Sequence, residues 1–163
     1  MRAKVLAILV LAVFAPGRAL ASDSPSIYEA LAAMKTHTIL HTAVKEAGEI
    51  ATLKGSGQYT LFAPTDAAFK AINGNLLKKI ATDKATVKAL LSAHLVKGKY
   101  TTEELKKLAG KELETLLGTL LKVEELKDGF RVGGAKLVVT NVQCGNGVIH
   151  IVDVVFPVTK PAP

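Results

Sequence analysis

The sequence feature that most constrains the fold is an apolar stretch near the carboxyl end, residues 146–157. It opens on Asn146-Gly147, the dipeptide that best tolerates positive φ in a tight turn. Nine residues rich in Val and Ile follow before Pro157, which cannot donate to a ladder. Because side chains alternate between the two faces of a strand, both faces here are mainly apolar. The stretch therefore predicts a central strand covered on both sides.

The first 21 residues have the pattern of a cleaved secretory signal. Arg2 and Lys4 make a basic start, residues 5–15 are apolar, and Ala19-Leu20-Ala21 fits the small-x-small rule of signal peptidase. The apolar run is shorter than the roughly 20 residues that a permanent span needs, although an uncleaved anchor is the alternative. The sequence predicts a signal peptide (1–21), a single domain (22–157), a short Pro-containing tail (158–163), and secretion or a periplasmic location.

Charge and cysteine content limit the partners of the mature chain. Loss of Arg2, Lys4 and Arg18 lowers the formal net charge from +7 to +4. Arg131 is then the only arginine, whereas nucleic-acid binders rely on arginine, so no nucleic-acid partner is predicted. The single Cys144 excludes an internal disulfide and is typical of a buried small hydrophobe. No second apolar run is long enough for a transmembrane segment.

Helical spacing dominates the first two thirds of the mature chain, and alternation dominates the last third. Start and stop signals predict helices that begin at Ser24-Pro25, near Thr36, at Ala67 and at Asp83, and another with a Thr101–Glu104 capping box. An early strand at residues 59–63, a short extended segment from His94, and hairpin turns at Asp128-Gly129 and Gly133-Gly134 complete the pattern. This segregation predicts an α+β domain, a β-sandwich with helices along one side or end.

Two strings together resemble the signature blocks of the fasciclin-like domain family. They are TLFAPTDAAF (residues 60–69) and NGVIHIVD (residues 146–153), and HLVKGKYT (residues 94–101) between them resembles the family's central Tyr-His segment with its glycine turn. The resemblance implies a wedge-shaped β-sandwich with a packed helical layer. It also implies an exported adhesion module. Ala93 stands where the family often has Tyr, and Asn141 where Asp is frequent, so adhesive roles of the Tyr-His segment are not carried over.

Six residues of these blocks are candidates for an interaction motif: Thr65, Asp66, His94, Tyr100, His150 and Asp153. Thr65 and Asp66 follow Ala63-Pro64, a context that favours helix capping over ligand contact. His150 lies on a strand buried on both faces and therefore has to be hydrogen-bonded. Alternation places Asp153 on the opposite face, so the two cannot form a local acid–base pair.

Other chemistry has little support in the sequence. His37 and His41 lie four apart and could share a helix face as two metal ligands, but no third ligand is suggested and an exposed pair is the default. Ser56 lies in Gly-Ser-Gly, which lacks the Gly-x-Ser-x-Gly spacing of a nucleophile elbow. No phosphate-binding or dinucleotide motif occurs. We expect no enzyme and no cofactor.

Two functions remain open from the sequence. The first is an exported adhesion or interaction module whose partner is a cell-surface or matrix protein or a polysaccharide. The alternative is a soluble extracytoplasmic carrier of an apolar small ligand, such as a pigment or lipid. The carrier function is suggested by the many small Ala and Leu residues of the helical part, which could leave a groove beside the sheet.

Overall fold

The computed structural model describes residues 24–158, so the expected signal peptide and the tail beyond residue 158 lie outside the described residues. The elements in chain order are α1 Ile27–Ala33, α2 Thr38–Ala47, α3 Ile50–Lys54, β1 Tyr59–Pro64, α4 Asp66–Ala71, α5 Gly74–Thr82, α6 Lys84–His94, β2 Leu95–Lys97, α7 Thr102–Lys107, β3 Glu112–Glu114, β4 Leu120–Leu126, β5 Gly129–Val132, β6 Ala135–Cys144 and β7 Gly147–Val152. No helix in this part of the chain is long and apolar enough to cross a membrane.

The strands form one mixed sheet in the order β2-β1-β7-β6-β5-β4-β3. Every neighbouring pair is antiparallel except β1 and β7, which run parallel. A bridge between Val96 of β2 and Thr115, just after β3, joins the two ends of the sheet. The sheet therefore curls into a near-barrel with helices packed against it, and the predicted α+β class is confirmed.

The predicted central strand is β7, which pairs with β1 on one side and β6 on the other. Ile149 and Val152 are completely buried, as a strand covered on both faces requires. The strand is shorter than predicted, because it ends at Val152 and not before Pro157. Its parallel neighbour stops at Pro64, opposite Val152, so the ladder on that side has no continuation.

Two separate cores explain why both faces of the central strands are apolar. Leu61 and Ile149 belong to a core between the sheet and the helices, which also contains Leu31, Leu40, Val44, Phe69 and Leu90. Phe62 and Val152 point the other way, into a core enclosed by the curled sheet with Leu105, Leu121, Val123, Val132 and Phe156. Adjacent residues of one strand thus serve different cores, as period-two alternation dictates.

Two predicted helix starts are wrong in detail. Helix α1 is capped by Ser26 and not Ser24, because Glu29, three residues after Ser26, completes a capping box with it. The predicted Thr101–Glu104 capping box is absent, since the Thr101 side chain makes no cap hydrogen bond. The side-chain oxygen of Asn141 on β6 accepts the Thr102 N–H instead, at 2.9 Å.

The Asn-Gly turn is also displaced by one residue. Cys144 pairs with Gly147, so the two-residue loop of the hairpin is Gly145-Asn146. Positive φ occurs at Gly147 (156°) and not at Asn146. Asn146 is buried, and its side chain hydrogen-bonds to Ile27, Leu53 and Gly55.

Candidate functional site

Thr65 and Asp66 both cap helices, but not the same helix. Thr65 caps α4 by accepting the Ala68 N–H at 3.2 Å. The Asp66 carboxylate accepts the Thr38 hydroxyl (2.7 Å) and the Ile39 N–H (2.9 Å) at the start of α2. Burial acts to raise the pKa of Asp66, but these hydrogen bonds outweigh it and lower the pKa below its ordinary value. Through Asp66, which directly follows Thr65 at the end of β1, this part of the first signature block ties α2 to β1.

His94 joins the end of α6 to the segment after β7. It is the last residue of α6 and not part of the predicted extended segment, which begins at Leu95. Its ring is fully buried, with Nδ1 2.7 Å from the Leu90 carbonyl oxygen and Nε2 accepting the Phe156 N–H at 2.9 Å. Because Nε2 accepts, the proton lies on Nδ1 and the ring is neutral. His94 also stacks on Phe156, with ring centroids 4.7 Å apart.

This buried histidine predicts a loss of stability on mild acidification. Burial lowers the pKa of His94 to about 4, from an ordinary value of 6.5. Between these values the unfolded chain binds a proton that the folded chain does not, so stability present above pH 6.5 is lost as the pH falls towards 4. We expect the free energy of unfolding in urea to drop by about 2 kcal/mol between pH 7 and pH 5.

The control for this prediction is His94→Gln, which removes the titrating group. The pKa values of His37 and His150 are also lowered by burial, so part of the pH dependence should remain in the variant. A clearly smaller slope between pH 7 and pH 5 in His94→Gln is the expected result. An unchanged slope would contradict the assignment to His94.

His150 is hydrogen-bonded in the core, as its place on a doubly buried strand predicts. Its Nε2 donates to the Tyr100 carbonyl oxygen at 2.6 Å, and its Nδ1 accepts the Asn141 N–H at 3.3 Å. The ring also stacks against Phe62. Tyr100 takes part in these hydrogen bonds through its backbone. Its carbonyl oxygen accepts from His150, and its N–H donates to the Thr60 hydroxyl at 2.8 Å. The three signature segments thus meet in one hydrogen-bonded framework.

Asp153, directly after β7, is exposed, and so are two valines of the neighbouring strand β6 and Val154 next to it in the chain. Its carboxylate accepts the Lys136 N–H at 2.9 Å, which fixes it against β6. Val138, Val139 and Val154 are 60%, 45% and 49% exposed. The register of β6 shifts on both sides of Val139, and both consecutive valines are exposed. We call Val138, Val139, Asp153 and Val154 the valine patch.

The expectation of an exposed histidine pair is wrong for His37. His37 precedes α2 as its N-cap residue and is completely buried, while His41 is half-buried against Tyr28. Helix α2 starts two residues later than predicted, so His37 lies before the helix and does not share a helix face with His41. Among residues 24–158 no three His, Cys, Asp or Glu side chains come together as a metal site. Cys144 is buried, and burial raises the pKa of its thiol to about 11.

A cleft of about 490 Å³ separates α2 from α5. Ala43 and Ile80 are buried at its floor, and the half-buried Ile39 and Leu77 form its walls. The exposed lining residues are Thr38, Thr42, Glu46 and Ala81. Helix α5 has nine residues, and it supplies Leu77, Ile80 and Ala81 to the cleft.

Comparisons with known proteins agree with the signature blocks. A profile described as Fasciclin domain matches residues 35–157. The pig (Sus scrofa) transforming growth factor-beta-induced protein ig-h3 is 38% identical over 120 residues, which are 72% of this chain and only 17% of that protein. Protein sll1483 of Synechocystis is 33% identical over 140 residues, covering 83% of this chain and 76% of its own length.

A solved structure shows the same fold. It is a FAS1 domain pair from the insect cell adhesion molecule fasciclin I, with a TM-score of 0.73 and 20% sequence identity. The match covers 82% of this chain and 51% of the insect chain. This chain therefore spans a small share of the pig protein and about half of the insect chain, but most of the Synechocystis protein.

Proposed function

Since this chain belongs to the fasciclin domain family, we propose that it is an exported interaction module and not an enzyme. Its partner would be a cell-surface or matrix protein, or a polysaccharide of the envelope or matrix. The structurally similar insect protein is a cell adhesion molecule, which supports a binding role. The signal-like first 21 residues support export.

The observation that carries this proposal is the valine patch. Among the candidate motif residues, His94 and His150 are buried, and Thr65 and Asp66 serve as helix caps. Asp153 remains available at the surface, held in place beside exposed valines. Exposed apolar side chains next to a fixed polar group are typical of protein interaction sites. We therefore assign the contact with the partner to this patch, with Asp153 supplying an acceptor.

The test is a binding assay with a paired substitution. The purified protein is immobilised and exposed to cells, matrix proteins and polysaccharides, and Val138→Lys/Val154→Lys is compared with Leu120→Lys. Leu120 is 55% exposed on β4 and lies outside the patch. We expect the double variant to bind about tenfold more weakly or worse, as a central apolar contact is lost. Leu120→Lys should bind like the unsubstituted protein.

Two outcomes would count against the proposal. If the double variant keeps full affinity while its circular dichroism and melting temperature are unchanged, the patch is not the contact surface. If the unsubstituted protein binds no cell, matrix protein or polysaccharide, the interaction role itself fails.

A second function is favoured by the cleft between α2 and α5. Its volume of about 490 Å³ falls within the range of small-molecule sites, about 300–1,000 Å³. Four of its lining side chains, Ile39, Ala43, Leu77 and Ile80, are apolar and at least half-buried. The carrier of an apolar small ligand is therefore the alternative function, and the cleft is its site.

A further inference from the structure

We infer that the cleft between α2 and α5 selects, among apolar small molecules, those that carry a protonated amine. This inference rests on the carrier function proposed above. It names the chemical class of the ligand and the side chain, Glu46, that recognises its charged end.

The apolar part of the cleft accounts for the body of such a ligand. The floor of Ala43 and Ile80 and the walls of Ile39 and Leu77 offer only carbon atoms from their side chains. Covering apolar surface there is favourable because it removes that surface from water. These walls do not distinguish one apolar body from another of the same size. Selection must come from the polar atoms at the rim.

The two threonines at the rim can accept hydrogen bonds but have no proton left to donate. Thr42 donates its hydroxyl proton to the Thr38 carbonyl oxygen at 2.9 Å. Thr38 donates its own to the Asp66 carboxylate at 2.7 Å. A hydroxyl has one donor and two acceptor positions, so both oxygens of these lining residues retain lone pairs that can accept a hydrogen bond. A ligand that donates hydrogen bonds can therefore bond to these two hydroxyl oxygens, whereas a ligand that only accepts hydrogen bonds cannot.

The charge at the rim is negative. Glu46 is the charged side chain that lines the cleft, and it forms no ion pair or hydrogen bond with any other residue of the described chain. Several other carboxylates of this domain are paired, such as Glu49 with Lys88 at 3.0 Å. The Asp66 carboxylate does not line the cleft, but it accepts the hydroxyl proton of the lining residue Thr38. A protonated amine would satisfy Glu46, whereas a carboxylate ligand would meet like charge.

The nearby lysines do not cancel this preference. Lys45 and Lys78 are adjacent in sequence to lining residues but are not part of the lining. Lys79 is not part of the lining either. It acts on Asp83, directly after α5, where it helps to lower the pKa of that carboxyl group after hydrogen bonds from Thr86 and Ala85. The cleft thus presents acceptors and a negative charge, although the domain as a whole is basic.

The experiment compares three ligands that share one apolar body. They are 2-(2-naphthyl)ethylamine, 2-(2-naphthyl)ethanol and 2-naphthylacetate, titrated into the purified protein at pH 7 by calorimetry and followed by amide chemical shifts. We expect the amine to bind about tenfold more tightly than the alcohol, and the carboxylate to bind most weakly, as charge complementarity requires. The shifts should concentrate in α2 and α5.

Two pairs of variants separate the charge from the cleft. Glu46→Gln should weaken amine binding about tenfold and leave alcohol binding nearly unchanged, with Glu114→Gln as the control at an exposed strand position. Ala81→Trp should fill the cleft and abolish binding of all three ligands, with Ala32→Trp on α1 as its control. Both test positions are exposed, so the variants should fold.

The failures of the two proposals can be told apart. Equal affinity for amine and alcohol, or an affinity for the amine that does not change in Glu46→Gln, would overturn the selection and leave the carrier function intact. If none of the three ligands binds or shifts the amides of α2 and α5, both the inference and the carrier function fail.

Discussion

Gly147→Ala is expected to prevent this domain from folding. A Cβ at this position would overlap the carbonyl oxygen of Tyr59 and lie 2.9 Å from both the Tyr59 carbonyl carbon and Cδ1 of Ile27. Tyr59 begins the strand that pairs with β7, and Ile27 is fully buried at the start of α1, so neither has room to move. We expect a loss of more than about 4 kcal/mol, most of the stability of an ordinary domain.

The matched control is Gly74→Ala. Gly74 is the first residue of α5, and a Cβ there would meet nothing within 4 Å. Alanine favours a helix over glycine by up to about 1 kcal/mol, so this variant should be as stable as the unsubstituted protein or slightly more stable. Soluble yield and urea denaturation measure both. A Gly147→Ala protein with a cooperative transition near the original midpoint would show that the close approach is not real.

Asn146→Ala is expected to have the second largest effect, because Asn146 braces two other segments, the start of α1 and the end of α3, from the buried end of the β6–β7 hairpin. Its side-chain oxygen accepts the Ile27 N–H of α1 at 2.8 Å. Its amide donates to the carbonyl oxygens of Leu53 (2.8 Å) and Gly55 (2.9 Å) at the end of α3. Removing the side chain leaves these groups unpaired, at a cost of about 1–3 kcal/mol for each one that water cannot reach. We expect a total loss of about 3 kcal/mol or more in urea denaturation.

Two further variants test the reason for this loss. Asn146→Asp keeps the acceptor for Ile27 but places a negative charge against two carbonyl oxygens, so it should be at least as destabilising as Asn146→Ala. Asn73→Ala removes an exposed helix cap with one hydrogen bond at 2.8 Å and should cost about 1 kcal/mol. If Asn146→Ala costs no more than Asn73→Ala, the bracing role is refuted.

Much of the fold could be predicted because its determinants are local. The apolar run in residues 148–156 predicts a strand with two apolar faces, and the structure places a shorter strand, β7, between two neighbours. The TLFAP segment and this strand pair in parallel over six residues from Tyr59 to Pro64. Gly48 ends α2 in the left-handed conformation, as its position after the last periodic residue predicts. Periodicity and caps act within a few residues, so they can be read directly.

The partners of the polar side chains could not be predicted in this way. Asn146 suggested a turn residue, yet it hydrogen-bonds to Ile27, 119 positions away in sequence. Asp66 suggested a cap for the helix that follows it, yet its carboxylate caps α2, 27 positions earlier at Ile39. Many backbone groups along the chain could donate to or accept from these side chains, so the sequence does not identify which of them will do so. Only packing brings one particular backbone group within reach of each.

The candidate sites show the same division. The amino-acid pattern alone established the α+β class, the two-sided central strand and the signature blocks, because short-range spacing encodes them. The valine patch needed the β6 register shifts, and the cleft needed α2 and α5 to pack on the same helix, α6, with a gap between them. Surfaces of this kind are formed by residues from separate elements, and their shape depends on how the two cores hold those elements together. The spacing of residues along the chain does not determine how those separate elements pack together.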